Sequence, residues 1–186
     1  NDWSSTLPSA NRSYFYPAID GSFIFSDAFN LTSNFFSYGK LRAGWAKVGK
    51  DADPYSTMDT YSVLDPFNGV SRASVSTTTA NVDLKPEFSK ELELGAQLEF
   101  FKRRLAFDFT WYNKVSTSQL ASVTLPASSG YTEYYTNFGK LRNRGIELDV
   151  TGKVLDSKDL KWSLHATFTK NKNEVMELIE GVDRIQ

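Results

Sequence analysis

The stretch ELELGAQLEFFKRRLAFDFTWYNK, Glu91–Lys114, decides the fold. Its first half alternates: Leu92, Leu94, Ala96, Leu98 and Phe100 fall on one parity, and Glu91, Glu93, Gly95, Gln97 and Glu99 on the other. After Lys102-Arg103 the pattern is mirrored. Leu105, Phe107, Phe109 and Trp111 share one face, and Ala106, Asp108, Thr110, Tyr112 and Lys114 the other. A helix, with about 3.6 residues per turn, would mix these sets, whereas a strand of period two keeps them apart. The reading is a β-hairpin with one apolar and one polar face. A two-residue turn at Lys102-Arg103 sets Phe100 opposite Leu105, Leu98 opposite Phe107, Ala96 opposite Phe109 and Leu94 opposite Trp111. On the other face Glu93 meets Tyr112 and Glu91 meets Lys114. A slip of one residue would turn one strand over. A slip of two would pass unnoticed, and Lys-Arg is not a favoured type I′ pair, so the turn type stays open.

Further strands lie on both sides. Ile146, Leu148 and Val150 alternate with Glu147, Asp149 and Thr151. Beyond a polar link at Asp156–Asp159, Trp162, Leu164, Ala166 and Phe168 alternate with Lys161, Ser163, His165, Thr167 and Thr169. Upstream, Leu41, Ala43 and Trp45 alternate with Arg42, Gly44 and Ala46. Ile19, Gly21, Phe23 and Phe25 mark an earlier strand, with Pro17 weakening its start because proline cannot donate to a ladder. The expectation is six strands of roughly 9–13 residues, against about 9–11 for a tilted membrane span. Links near Phe29–Tyr38, Lys102–Arg103 and Leu155–Asp159 are short, while those near Gly49–Ser89 and Val115–Asn143 are long. Short and long alternate, as in up-and-down membrane barrels. Asp53-Pro54, Asn68-Gly69 and Ser129-Gly130 supply turn chemistry in the long links. Asn171-Lys172-Asn173 reads as the end of the last strand, and Glu174–Ile179 could form one helical turn.

Composition narrows the function classes. The 186 residues hold 21 Lys and Arg against 22 Asp and Glu, a net charge of −1, which argues against a nucleic-acid binder. The absence of cysteine removes disulfides, thiolate metal sites and thiol nucleophiles. His165 is the one histidine, so a multi-histidine zinc site is excluded. Aromatic residues make up 15% of the chain although mean hydropathy is −0.39. A two-faced membrane wall reconciles the two figures, since lipid-facing aromatics average against polar residues of the enclosed side. The alternative is a soluble β-sandwich, such as a carbohydrate-binding module, with its apolar faces packed on a second sheet.

Candidate chemistry is sparse. Glu91 with Glu93, and Glu147 with Asp149, stand two apart on one strand face, a spacing that a glycosidase-like acid–base pair could use. Alternating polar positions account for them more simply, as charges facing an enclosed channel. His165 sits at a polar-parity position and reads as structural or solvated. Tyr131, Tyr134 and Tyr135 fall within the long Val115–Asn143 link and could form an aromatic ligand or lid contact, or simply pack between loops. Trp111 and Trp162, on apolar parities, suit an interfacial girdle. Lys40, Arg42, Arg142 and Arg144 read as partners for the acidic residues rather than an anion groove. Gly139, Gly145 and Gly152 ease curvature or loop entry. No GxSxG, phosphate-loop or dinucleotide motif appears. The reading is a non-enzyme without catalytic residues, metal or cofactor.

Several stretches carry a family resemblance. Leu84-Lys85-Pro86-Glu87 with Glu91, Glu93 and Gly95 after it is similar to an "LKPE…E.ElG" signature. Phe100-Phe101 with Arg104-Leu105 resembles the turn next to that signature, and Tyr112 its "tyY" strand. Ser129-Gly130-Tyr131, Asn137, Gly139, Asn143, Gly145, Ile146 and Glu147 resemble "ssGy…N.G…N.GiE", and Trp162, Asn171, Asn173 and Val175 resemble "W…N.N.V". Gly39-Lys40-Leu41-Arg42-Ala43 resembles an "lKlRasyG" strand, from which Trp45-Ala46-Lys47 departs. In this order and spacing they resemble the SusC/RagA-type TonB-dependent outer-membrane transporters of Bacteroidetes. The resemblance implies an all-β fold: an antiparallel transmembrane β-barrel segment, six strands of a barrel of about 22, with long extracellular loops. It implies that residues 1–186 are an internal part of one barrel domain, whose plug and remaining strands lie outside the chain. It implies uptake of oligosaccharides or peptides across the bacterial outer membrane. The partners it implies are a SusD-like surface lipoprotein, the TonB–ExbB–ExbD complex acting through the plug, and outer-membrane lipid. In that setting Glu93, Gln97, Asp108 and Glu147 are expected to face the lumen, and Tyr131, Tyr134 and Tyr135 to meet ligand or lid.

Overall fold

The computed structural model describes residues 1–178. Six strands form one antiparallel meander in which each pairs with the next: β1 (Ala18–Ile24), β2 (Phe36–Lys50), β3 (Glu87–Phe100), β4 (Leu105–Thr124), β5 (Glu133–Asp156) and β6 (Lys161–Glu177). The short strand Thr78–Thr79 joins the start of β5 in parallel, and Tyr61–Phe67 pairs with Val70–Val75 as a separate hairpin. That hairpin turns at Asn68-Gly69, both with positive φ (51° and 79°), as a type I′ turn demands.

The central hairpin has the expected register. Phe100 faces Leu105, Leu98 faces Phe107, Ala96 faces Phe109 and Leu94 faces Trp111, with Glu93 on Tyr112 and Glu91 on Lys114. The turn differs from a two-residue one. Four residues, Phe101–Arg104, connect the strands, and Phe101, Lys102 and Arg103 all take left-handed φ (55°, 57° and 65°). Outside contacts hold this run: the Phe101 N–H donates to Phe35 O (2.7 Å) and the Arg103 N–H to Ser37 Oγ (3.2 Å).

Register carries the alternation across the whole sheet. One rung reads Phe23, Leu41, Ala96, Phe109, Leu148, Phe168, and the next Gly21, Ala43, Leu94, Trp111, Ile146, Lys170. Leu94 and Phe109 stay 45% and 40% exposed, and no second sheet covers this face among the described residues, which argues against a sandwich. The continuous apolar run of this face ends at Trp45 on β2, Leu92 on β3, Trp111 on β4, Ile146 on β5 and Phe168 on β6. In rung terms this boundary drops four residues from β2 to β6. At about 3.4 Å per residue and about 4.8 Å per strand spacing, that is about 14 Å over about 19 Å, a slope near 35°. Strands in closed barrels tilt by about 35–45°, so the apolar band runs level when the strands tilt as they do there. At the short-turn end the same face closes on aromatic rings, with Phe35, Phe36, Phe100 and Phe107 in edge or tilted contact.

Among the described residues the buried apolar side chains gather at the long-loop end. Leu7, Tyr14, Ala52 and Leu84 form a small core beside Phe88, Leu120 and Tyr135. The N-terminal segment thus packs on the 51–86 connection, with Asn11 Nδ2 donating to Leu84 O at 3.0 Å. Burial and the accepting Asp51 carboxylate push the Tyr14 hydroxyl above its ordinary range.

Several boundaries depart from the sequence reading. The strands run from 7 to 24 residues, because polar residues continue the ladder beyond the apolar band. The link expected at Val115–Asn143 shrinks to Leu125–Thr132, since β4 and β5 stay paired to Thr124 and from Glu133. Opposed left-handed residues, Ser118 (φ 56°) and Gly139 (φ 67°), interrupt period two there and hide the strand. Asn171-Lys172-Asn173 does not stop β6. The strand continues through Glu177, so Glu174–Glu177 is extended rather than helical, and Ile179 lies outside the described residues.

Replacing Phe109 by Arg in the intact, bilayer-inserted barrel is expected to cost about 2–4 kcal/mol, the range for a cation at mid-depth. Thr167→Arg, at a similar depth on the opposite face, should cost far less. Denaturant titration of the barrel in lipid vesicles measures both; equal costs would contradict the assignment of faces.

Candidate functional site

The polar face is built by the same register. One rung holds Ser22, Arg42, Gly95, Thr110, Glu147 and Thr169; beside it lie Asp20, Gly44, Glu93, Tyr112, Gly145 and Asn171. The next toward the short turns holds Lys40, Gln97, Asp108, Asp149 and Thr167. Glu93, Gln97, Asp108 and Glu147 therefore share one face, opposite the apolar band.

Arg42 is the hub, a role the sequence reading gave only as acid pairing. Its Nη2 donates to Asp108 Oδ1 at 2.7 Å and to Thr110 Oγ1, and its Nε lies 3.7 Å from Glu93 Oε1. These partners sit on β3 and β4, so the side chain must cross β3. It does so over Gly95, where an added Cβ would fall 2.3 Å from Arg42 Nε. The same device recurs one rung away. Tyr112 lies over Gly145, whose added Cβ would meet the Tyr112 hydroxyl at 2.6 Å, and reaches Asn171 Oδ1 on β6 at 3.3 Å. Glycine at a polar-parity position inside a long strand was the available signal.

The remaining candidates are placed separately. Gln97 stands opposite Asp108, and Glu147 opposite Thr110 with its side chain exposed. Asp149 does not pair with Glu147. It approaches His165 Nε2 at 3.4 Å, while Thr151 Oγ1 meets His165 Nδ1 at 2.9 Å, which makes the histidine a cross-strand polar contact. Among the described residues no group of three or more His, Asp and Glu side chains could hold a metal ion.

The three tyrosines do not share a loop. Only Tyr131 lies in the connection; Tyr134 and Tyr135 belong to β5 and open onto different clefts. Tyr135 lines a polar cleft of about 590 Å³ with Asp53, Tyr55, Ser56, Thr78 and Ser122. Tyr134 lines one of about 530 Å³ with Asn81, Lys85 and Asn137. In the second cleft Asn137 donates to Lys85 O (2.7 Å) and Ser118 O (2.9 Å) and accepts from the Lys85 N–H (2.8 Å), which anchors the Leu84–Glu87 segment to β5.

A two-faced, tilted antiparallel sheet with an apolar band and a charged, glycine-crossed opposite face defines a segment of a transmembrane β-barrel wall. The family profile described as TonB dependent receptor-like, beta-barrel matches residues 1–182, and the chain belongs to that family, of the SusC/RagA type. Its relatives include TonB-dependent receptor P3 of Formosa agariphila, 31% identical over 98% of this chain, and TonB-dependent receptor SusC of Bacteroides thetaiotaomicron, 28% identical over 98%. The chain spans 19% of the length of each. Among solved structures, the RagAB peptide importer in its closed-closed state superposes with a TM-score of 0.86 at 26% identity, covering 97% of this chain and 20% of that one. The siderophore receptor PirA of Pseudomonas aeruginosa, at 17% identity and a TM-score of 0.57 over 90% of this chain and 30% of that one, shares the fold.

Gly95→Val should close the path that Arg42 takes. A double-mutant cycle on Arg42→Ala and Asp108→Ala in the intact barrel is expected to give a coupling of about 0.5–1 kcal/mol, typical of a partly exposed pair. In the Gly95→Val background it should fall to near zero. An unchanged coupling would show that Arg42 does not need the glycine.

Proposed function

We propose that this chain is part of the wall and outer loops of an outer-membrane importer that takes up oligosaccharides or peptides with a SusD-like lipoprotein lid. The energy comes from the TonB–ExbB–ExbD complex. The carrying observation is the segregation of faces over six strands, together with similarity to SusC and to RagAB along nearly the whole of this chain. The mechanism is binding and gated passage rather than covalent chemistry. Glu93, Gln97, Asp108 and Glu147 face the enclosed channel, where they shape the passage or brace the plug. The Arg42 cluster with Glu93 and Asp108 supports this part, because a fixed inner charge pattern gives a plug a defined seat. Toward the long-loop end, Tyr131, Tyr134 and Tyr135 contact ligand or lid, supported by the polar clefts beside Tyr134 and Tyr135.

The test uses the whole transporter in cells. Labelled oligosaccharides and peptides are offered with TonB present and with TonB removed, and accumulation of one class should fall to background without TonB. Uptake that ignores TonB would overturn the proposal. Tyr131→Ala, Tyr134→Ala and Tyr135→Ala should weaken ligand affinity or lid association; if both hold in all three, the tyrosine assignment is withdrawn.

A further inference from the structure

We propose that the apolar face carries, at its long-loop boundary, a binding line for the phosphate groups of anionic lipid headgroups, made by Lys90, Arg144 and Lys170 and backed by Arg142 and Lys172. The inference rests on the reading of this sheet as bilayer wall. The first outward residue after the continuous apolar run is Lys47 on β2, Lys90 on β3, Asn113 on β4, Arg144 on β5 and Lys170 on β6, with Phe88, Val115 and Met176 recurring beyond it. Four of five strands thus place a cation on one line. That line keeps the slope of the apolar boundary, so it lies parallel to the membrane plane. Along it Lys90 and Arg144 stand two strands and two residues apart, about 12 Å, and Arg144 and Lys170 one strand and two residues apart, about 8 Å. Arg142 and Lys172 stand two residues beyond Arg144 and Lys170 on the same face.

Charge on this face is one-sided although the chain is nearly neutral. The carboxylates Glu91, Glu93, Glu147 and Asp149 all point to the opposite face. On this face Glu174 pairs with Arg144 at 3.4 Å and with Lys172, and Glu177 pairs with Lys140 at 3.2 Å. That leaves an excess of positive charge. Lys47 is held over the Phe88 ring at 3.9 Å and is left out of the site. Arg142 Nε is buried with no hydrogen-bond partner, a donor that a phosphate oxygen would satisfy. The opposite boundary of the same band ends on Phe36, Phe100 and Phe107 instead. The two leaflets therefore meet different chemistry, and the cationic one lies toward the long loops. Basic residues at a bilayer surface attract anionic headgroups, and guanidinium grips phosphate with two parallel bonds.

The test uses the full-length transporter in neutral-lipid nanodiscs with either phosphorylated lipid A or its dephosphorylated form, and native mass spectrometry counts retained glycolipid. The wild type should retain the phosphorylated form and lose the other. The triple variant Lys90→Gln, Arg144→Gln, Lys170→Gln should retain about a hundredfold less, and Lys90→Arg with Lys170→Arg should keep wild-type retention. Equal retention by wild type and the glutamine variant, or of both lipid forms, would overturn the proposal. So would displacement by millimolar inorganic phosphate, which would mark a free-anion site. If the triple variant does not insert, Lys170→Gln alone should still lower retention by about fivefold. Heat-modifiability of the wild type on a gel tests the wall reading separately: a barrel that inserts but retains no glycolipid sinks only the phosphate line.

Discussion

Every feature of this sheet derives from one constraint: in hydrocarbon no water is available to a backbone amide, so each N–H and C=O must be paired within the protein. Extended strands meet it through their neighbours, and a strand of period two then presents two unrelated faces. One can be greasy and the other charged without cost to the ladder. That is why the chain shows 15% aromatics beside a mean hydropathy of −0.39, and why so little of it is buried. Among the described residues β1 and β6 are open edges, whose ladder groups would cost several kcal/mol each in lipid. The sheet is stable in a bilayer only when further strands complete those edges.

The polar face shows how the ladder positions charge. Neighbouring side chains on a face lie about 4.5–5.5 Å apart, so contacts normally stop at the adjacent strand. Arg42 reaches the second strand over because Gly95 leaves a gap between them, and Tyr112 does the same over Gly145. Each glycine removes one side chain and so converts a pairwise ladder into a three-strand tie. A glycine in mid-strand ordinarily weakens a sheet, yet here it joins three strands through one long side chain.

Much of this was legible in the sequence, and the limits have physical causes. Period two gave the faces, the central register and the placement of Glu93, Gln97, Asp108 and Glu147 on one side. It could not track β4 and β5 beyond the band, because there both faces are polar and the alternation that marks a strand vanishes. The paired left-handed residues Ser118 and Gly139 sharpen that break. The three-strand reach of Arg42 was illegible for another reason. It depends on which glycine lies beside which arginine, and that is a fact of register between strands far apart in sequence. The Tyr134 and Tyr135 side chains were misplaced by the same error in strand length.

Register itself is checked by a quantity that period two does not contain. A two-residue slip between β3 and β4 preserves both faces and every apolar pairing class, so alternation cannot detect it. It does move the line where apolar residues stop. The observed ladder lets that line fall by four residues over four strand spacings, near 35°. A slip that halved the drop would flatten it to about 20°, below the tilt at which strands close into a barrel. The apolar boundary would then climb out of a level band on one side of the wall, exposing hydrocarbon-facing side chains to water there and drawing cations into lipid on the other. The level band thus selects one register among those that alternation permits. It also explains why Lys90, Arg144 and Lys170, which share no rung, come to stand on one line.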